Sequence, residues 1–204
     1  MTRLYAIAGA VVLAALLGLT SYTIMARRAA DPFAECRSGA VAGGAIGGPF
    51  ALTDETGKPV TDADVLAKPA LVYFGYASCP DVCPLDNARN AQAAEILAGQ
   101  GLDVTPVFIS VDPARDTPEA MAEYTSNFSD KLLGLTGTPD QVRAAAQAYK
   151  VFYELPENPG KDYTVNHTTL TYLMLPKTGF AEFFTRETTP EDVAERTGCF
   201  LKAS

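Results

Sequence analysis

The chain has 204 residues, 48% hydrophobic and 20% charged, with 16 Gly and 14 Pro. That length suits one ordinary domain plus a short extension, and the composition excludes a disordered, collagen-like or coiled-coil chain. Arg3, Arg27 and Arg28 are the only charged side chains before residue 30, so residues 30–204 carry 13 bases against 24 acids, net −11, and nucleic acid is excluded as a partner held by charge.

Leu4 to Met25 is an uncharged run of 22 residues, and about 20 apolar residues span a bilayer as a helix. A cleaved signal peptide and a buried core helix compete with that reading. The run exceeds the usual apolar region of a signal, and Met25-Ala26-Arg27-Arg28 is a poor cleavage site. One uncleaved transmembrane anchor over residues 1–28 is therefore expected. The basic residues flank it almost evenly and do not orient it. Residues 29–45, rich in Ala and Gly, read as a flexible tether, and residues 46–204 as the folded domain.

Within that domain, residues 49–65 offer two extended pieces around Glu55-Thr56-Gly57, a hairpin signal. The unbroken apolar run Leu71–Tyr76 suits a strand buried on both faces. A helix is predicted over Leu85–Leu97, stopping near Gly99 and Gly101, and a second buried strand over Val104–Val111. Thr117-Pro118 and Thr138-Pro139 open two more helices, a threonine cap followed by proline at the first helical position, with a short strand at Leu132–Leu135 between them. Leu170–Leu175 and Phe180–Phe184 flank Pro176-Lys177-Thr178-Gly179 as a second hairpin, and a last helix runs from Pro190 to about Leu201. The alternation predicts an α/β fold, a central mixed sheet with flanking helices and an extra N-terminal hairpin.

Cys79-Pro80-Asp81-Val82-Cys83-Pro84 falls between the first buried strand and its helix. A helix N-terminus lowers thiol pKa and presents sulfur at an open sheet edge. Spacing i, i+4 puts both sulfurs on one face where that turn is helical. Such a pair can grip a soft ion, or close into a disulfide of demanding geometry. Two inert buried thiols, or a permanent bridge, are the bland alternatives. His167, the only histidine, precedes a strand of the second hairpin. It reaches the Cys pair only where the fold brings the two loops together, as a thioredoxin-like sheet does. Two sulfurs and one nitrogen favour copper, whereas Asp81 or a water as a fourth ligand would suit zinc. Asp112-Pro113 reads as a turn, and Arg115 beside Asp116 as a solvated pair. Cys36 and Cys199 stand 163 residues apart at the two ends of the domain. In an oxidising compartment a bridge between them would pin the tether to the body; two unrelated thiols are the alternative.

Gly47-Gly48-Pro49-Phe50, Tyr73-Phe74-Gly75-Tyr76, the Cys79–Pro84 motif, Val111-Asp-Pro-Ala-Arg-Asp-Thr-Pro118, Gly134-Leu-Thr-Gly-Thr-Pro139 and His167 with Tyr172-Leu173 together resemble the Sco/SenC family, membrane-anchored copper proteins of thioredoxin fold. The resemblance spans about residues 46–184. It implies Cu(I) or Cu(II) bound by Cys79, Cys83 and His167. It also implies a metallochaperone rather than an enzyme, one that delivers copper to the binuclear copper centre of cytochrome c oxidase outside the cytoplasmic membrane. The chain departs from the family at Asn166, where an acid usually precedes the histidine, and at Leu85-Asp86, where small hydroxyl residues are common. The alternative function is a thiol–disulfide oxidoreductase that reduces the cysteines of that copper site. A peroxiredoxin-like peroxidase is a third, without the proline its attacking cysteine usually follows. The expected partners are the copper-bearing oxidase subunit, a copper donor protein, and the membrane through Leu4–Met25. The expected location is a bacterial cytoplasmic membrane, single-pass, with the domain facing the periplasm.

Overall fold

The computed structural model describes residues 2–29, 32–37, 46–157, 160 and 162–204. In chain order the elements are α1 (Thr2–Ala29), β1 (Ala51–Asp54), β2 (Pro59–Thr61), α2 (Asp62–Val65), β3 (Ala70–Gly75), α3 (Val82–Gly99), β4 (Thr105–Ser110), α4 (Pro118–Thr125), β5 (Leu133–Thr136), α5 (Pro139–Ala148), β6 (Tyr153–Glu154), β7 (Asn166–His167), β8 (Thr171–Leu175), β9 (Gly179–Phe184) and α6 (Pro190–Ala203). Both predicted hairpins and every helix predicted in the domain are present. Three differences matter. The helix after the Cys motif starts at Val82 rather than Leu85, so it takes Cys83 into its first turn. The one-turn helix α2 was not expected. Nor was the ribbon of β6 and β7, which puts His167 on a strand of its own, paired with Tyr153.

Seven strands form one mixed sheet in the order β2-β1-β5-β4-β3-β8-β9. β3 lies parallel to β4, and β4 to β5; the remaining pairs are antiparallel. All six residues of β3 are buried, as the unbroken apolar run requires of a strand covered on both faces. One core cluster gathers Tyr73, Phe74, Phe108, Met121, Leu135 and Tyr149. The other joins Leu71 to Leu97 of α3 and to Val193 and Phe200 of α6. Helices α4, α5 and α6 each begin with proline behind a threonine whose hydroxyl accepts the third helical amide, from Ala120, Gln141 and Asp192. Each such cap stabilises its helix by about 1 kcal/mol.

α1 covers the apolar run, and its described side chains, Tyr5 and residues 13–25, are exposed. Among the described residues no helix is long and apolar enough to cross a membrane. Of the segment 29–45, residues 38–45 lie outside the described residues. Residues 32–37 form a turn in which Phe33 and Cys36 are buried. The Phe33 ring packs 5.3 Å from that of Phe200, and Cys36 is joined to Cys199 of α6 by a disulfide with Cα atoms 5.6 Å apart.

Closing so long a loop restricts the unfolded chain. Replacing Cys36 and Cys199 together by serine is expected to lower stability by about 2–5 kcal/mol. Urea unfolding of that variant against the oxidised wild type checks this; equal midpoints would show that the bridge does not form.

Candidate metal centre

β3 ends at Gly75 at the carboxyl edge of the parallel strands, and the chain turns there before α3. Val111 N–H donates to the Gly75 carbonyl at 2.7 Å, and Cys79 N–H to the Tyr76 carbonyl at 3.2 Å. This turn places Cys79 just ahead of α3 and Cys83 within it. Cys83 N–H points to Cys79 Sγ at 3.4 Å. Both cysteines are buried and free, and Cys83 is the deeper, with no exposed surface.

His167 arrives from the other side. β7 continues towards β8, the neighbour of β3 in the sheet, so the histidine hangs over the end of β3. Its Nε2 lies 3.4 Å from Cys83 Sγ. Its Nδ1 lies 3.0 Å from the Thr168 carbonyl. A carbonyl oxygen only accepts, so Nδ1 carries the hydrogen and Nε2 presents a lone pair to the sulfurs. The ring stands edge-on to Tyr73 and Tyr76, with centroids 6.2 and 5.8 Å away. The ligand atoms of Cys79, Cys83 and His167 all lie within 4.8 Å of one another. Two sulfurs and one imidazole nitrogen, largely withdrawn from water, suit a soft ion. Asp81, a candidate fourth ligand for zinc, stands exposed at the start of α3, outside this group.

The two thiols are electrostatically unlike. A hydrogen bond from the Cys83 side chain holds the Cys79 thiol down at about 4, helped by the Asp81 and Cys83 backbone amides. The same contact and burial push Cys83 well above the ordinary thiol range. The thiolate is therefore favoured on Cys79 and disfavoured on Cys83.

Several residues that shape the site were not singled out from the sequence. A side chain at Gly75 would begin 2.7 Å from Cys83 Sγ and 2.9 Å from Phe108. A glycine inside a strand signals such a close approach. Tyr73 packs beneath the sulfurs, and its buried hydroxyl lies between Cys83 and Asp86 without a close bond to either. Asp86 is not exposed: it pairs with Arg89 at 2.8 Å inside the protein. Burial pushes its carboxyl upward and Arg89 partly offsets this. The solvated pair expected at Arg115 and Asp116 is absent. Arg115 pairs with Asp112, and buried Asp116 accepts from Ser110 Oγ at 2.5 Å and Ala77 N–H at 3.0 Å. Charge density alone did not separate a surface pair from a buried acid holding the Cys loop.

The SCO1/SenC family model matches residues 39–202. Protein SenC of Rhodobacter capsulatus is 52% identical over 200 residues, 97% of this chain and 90% of that protein. The structure of Bradyrhizobium japonicum ScoI with copper bound is 42% identical with a TM-score of 0.69, covering 77% of this chain and 100% of that one. Arabidopsis thaliana ScoI with copper bound is 39% identical with a TM-score of 0.72, covering 78% and 99%. The fold is thioredoxin-like, and the chain belongs to the SCO1/SenC family.

Two outcomes are expected here. Cys79 should be alkylated with an apparent midpoint near pH 4 while Cys83 stays unreactive. Its depressed pKa stabilises the fold in full above the ordinary thiol pKa of about 8.5, and that contribution fades as pH falls towards 4. Mass-mapped iodoacetamide labelling across pH measures this; equal labelling of both thiols would contradict it. Gly75→Ala should cost about 1–3 kcal/mol by overpacking and displace Cys83, seen as a lower melting temperature together with altered Cys79 labelling.

Proposed function

We propose that this protein carries copper as cargo between Cys79, Cys83 and His167 and delivers it to the binuclear copper centre of cytochrome c oxidase. The observation that carries this reading is the His167 lone pair held against Cys83 Sγ. Dithiol exchange strictly needs only the two sulfurs, whereas a third ligand serves a bound ion. The donor set fits copper: thiolates suit Cu(I), and the imidazole adds affinity for Cu(II). The Bradyrhizobium and Arabidopsis relatives with copper bound support the same choice.

The chain's own residues do three things in this scheme. Cys79, the more acidic of the two thiols, supplies the first sulfur. Cys83 must lose its proton for the second sulfur to bind, and that proton must leave the site, because the His167 Nε2 lone pair is needed for the ion. Tyr73, Tyr76 and the end of β3 keep water from the deeper sulfur. Release then proceeds by exchange with a client's own thiols, without free ion in solution.

A second reading, a thiol–disulfide oxidoreductase acting on the client's cysteines, is favoured by the asymmetry of the pair: a low-pKa thiol for attack and a buried partner to resolve.

The proposed setting is a bacterial cytoplasmic membrane. Leu4–Met25 within α1 forms a single span, and residues 46–204 face the periplasm. The exposed apolar side chains of α1, among them Leu13, Leu16, Leu17 and Leu19, support a lipid environment. The acidic surface would speed encounter with a basic donor or client at low salt.

Purified protein should bind one copper per chain, with visible thiolate-to-Cu(II) absorption that disappears in the Cys79→Ala/Cys83→Ala double variant. Full copper content in that variant would refute the site. In a deletion strain, oxidase activity should fall. A His167→Ala copy should fail to restore it if the protein is a chaperone, and full restoration at low copper would select the reductase.

A further inference from the structure

The turn between β4 and α4, residues 112–116, touches both arms of the site. Asp116 accepts the Ala77 amide, in the loop leading to Cys79. Arg115 reaches the other way. Its Nη1 donates to the Tyr163 carbonyl at 3.0 Å, its Nε binds Asp112 Oδ2 at 2.5 Å, and its guanidinium carbon lies over the Tyr163 ring, 3.6 Å from the centroid. Tyr163 closes the circuit by donating its hydroxyl to Asp112 Oδ1 at 2.8 Å. Asp112 is wholly buried and its two oxygens are used by these two partners. The guanidinium also stands 5.5 Å from the Tyr76 ring, the ring against which His167 stands edge-on. Tyr163 is four residues ahead of His167, and Val165 between them is buried.

We infer that Arg115 is a positioning residue: clamped between Asp112 and Tyr163, it fixes the segment 163–167 and so holds His167 Nε2 at the sulfur pair. Arg115 touches no ligand atom. Its effect is transmitted through the Tyr163 backbone and ring on one side and Tyr76 on the other. Arginine suits the role because a planar fork can bind a carboxylate, donate to a carbonyl and stack on a ring at once, which a lysine ammonium cannot do. The inference deepens the proposed copper reading and rests on it for its metal-bound readout. Its apo readout stands alone.

The test uses the full chain in detergent micelles, wild type against Arg115→Ala, with Arg115→Lys in its place if the alanine variant does not fold. In the apo protein, the imidazole resonances of the single histidine should move and broaden in the variant. On titration with Cu(II), affinity should fall about 10–100-fold, the usual cost of losing a residue that orients a ligand, and the thiolate-to-Cu(II) absorption should shift. Cu(I), held mainly by the sulfurs, should change far less. In a His167→Ala background, adding Arg115→Ala should cause no further loss of Cu(II) affinity, because the two act on one nitrogen. A variant that melts lower but keeps wild-type histidine resonances overturns the inference and leaves Arg115 a purely structural residue. So does a loss that adds in full to that of His167→Ala. If wild-type protein binds no copper through its cysteines, the copper reading falls, and the apo resonances alone decide the role of Arg115.

Discussion

The Cys83 sulfur sits against the last residue of a central strand, at a distance that leaves no room for a β-carbon on that residue. This close approach brings a helix N-terminus and the carboxyl end of β3 to the same point. It holds Cys83 beside Cys79 and away from water, and both effects raise the cost of its thiolate. The neighbouring Cys79 then ionises in its place, with the Cys83 side chain and two backbone amides as donors. Difference in depth between two residues of one turn thus becomes difference in chemistry. A bulkier residue at position 75 would move the sulfur outward and make the two thiols more alike.

The second ligand arm depends on a different physical device. β6 and β7 are two residues each, too short to hold a position by ladder hydrogen bonds alone. Their placement comes from side chains: the Arg115 clamp, the Thr168 hydroxyl accepting the Phe152 amide at 3.1 Å, and the aromatic rings around His167. The turn after β3 and the first turn of α3 therefore carry the sulfurs, and a ribbon of two-residue strands carries the nitrogen.

Most of the sheet was legible in the sequence because its signals are local and strong. The run Leu71–Tyr76 is apolar throughout since both faces of β3 are covered, and threonine-proline pairs mark helix starts by a cap and a preset φ. Cys79 and Cys83 stood out by spacing and by their place between a strand and a helix. His167 could be attached to them only through the resemblance to a known family, because nothing local ties residue 167 to residue 83. The ribbon was invisible for the same reason that it is weak: two-residue strands leave no periodicity. Arg115 beside Asp116 looked like a surface pair because sequence does not show which acid is buried. Phe33, amid small residues, gave no sign that its segment packs onto α6.

α3 and α6 lie side by side and run the same way. Near their beginnings Val82, Leu85 and Asp86 share a cavity with residues 186–190; near their ends Gly198 packs on Leu97. The sulfur pair is at the first end and the Cys36–Cys199 bridge at the second, separated by the stretch of α6 from Pro190 to Cys199, about 14 Å of helix. The chain thus enters its domain at one pole and keeps its reactive atoms at the other. The disulfide thus holds the segment that leads into the domain at the pole farthest from the thiols, and leaves the end that carries them clear of it.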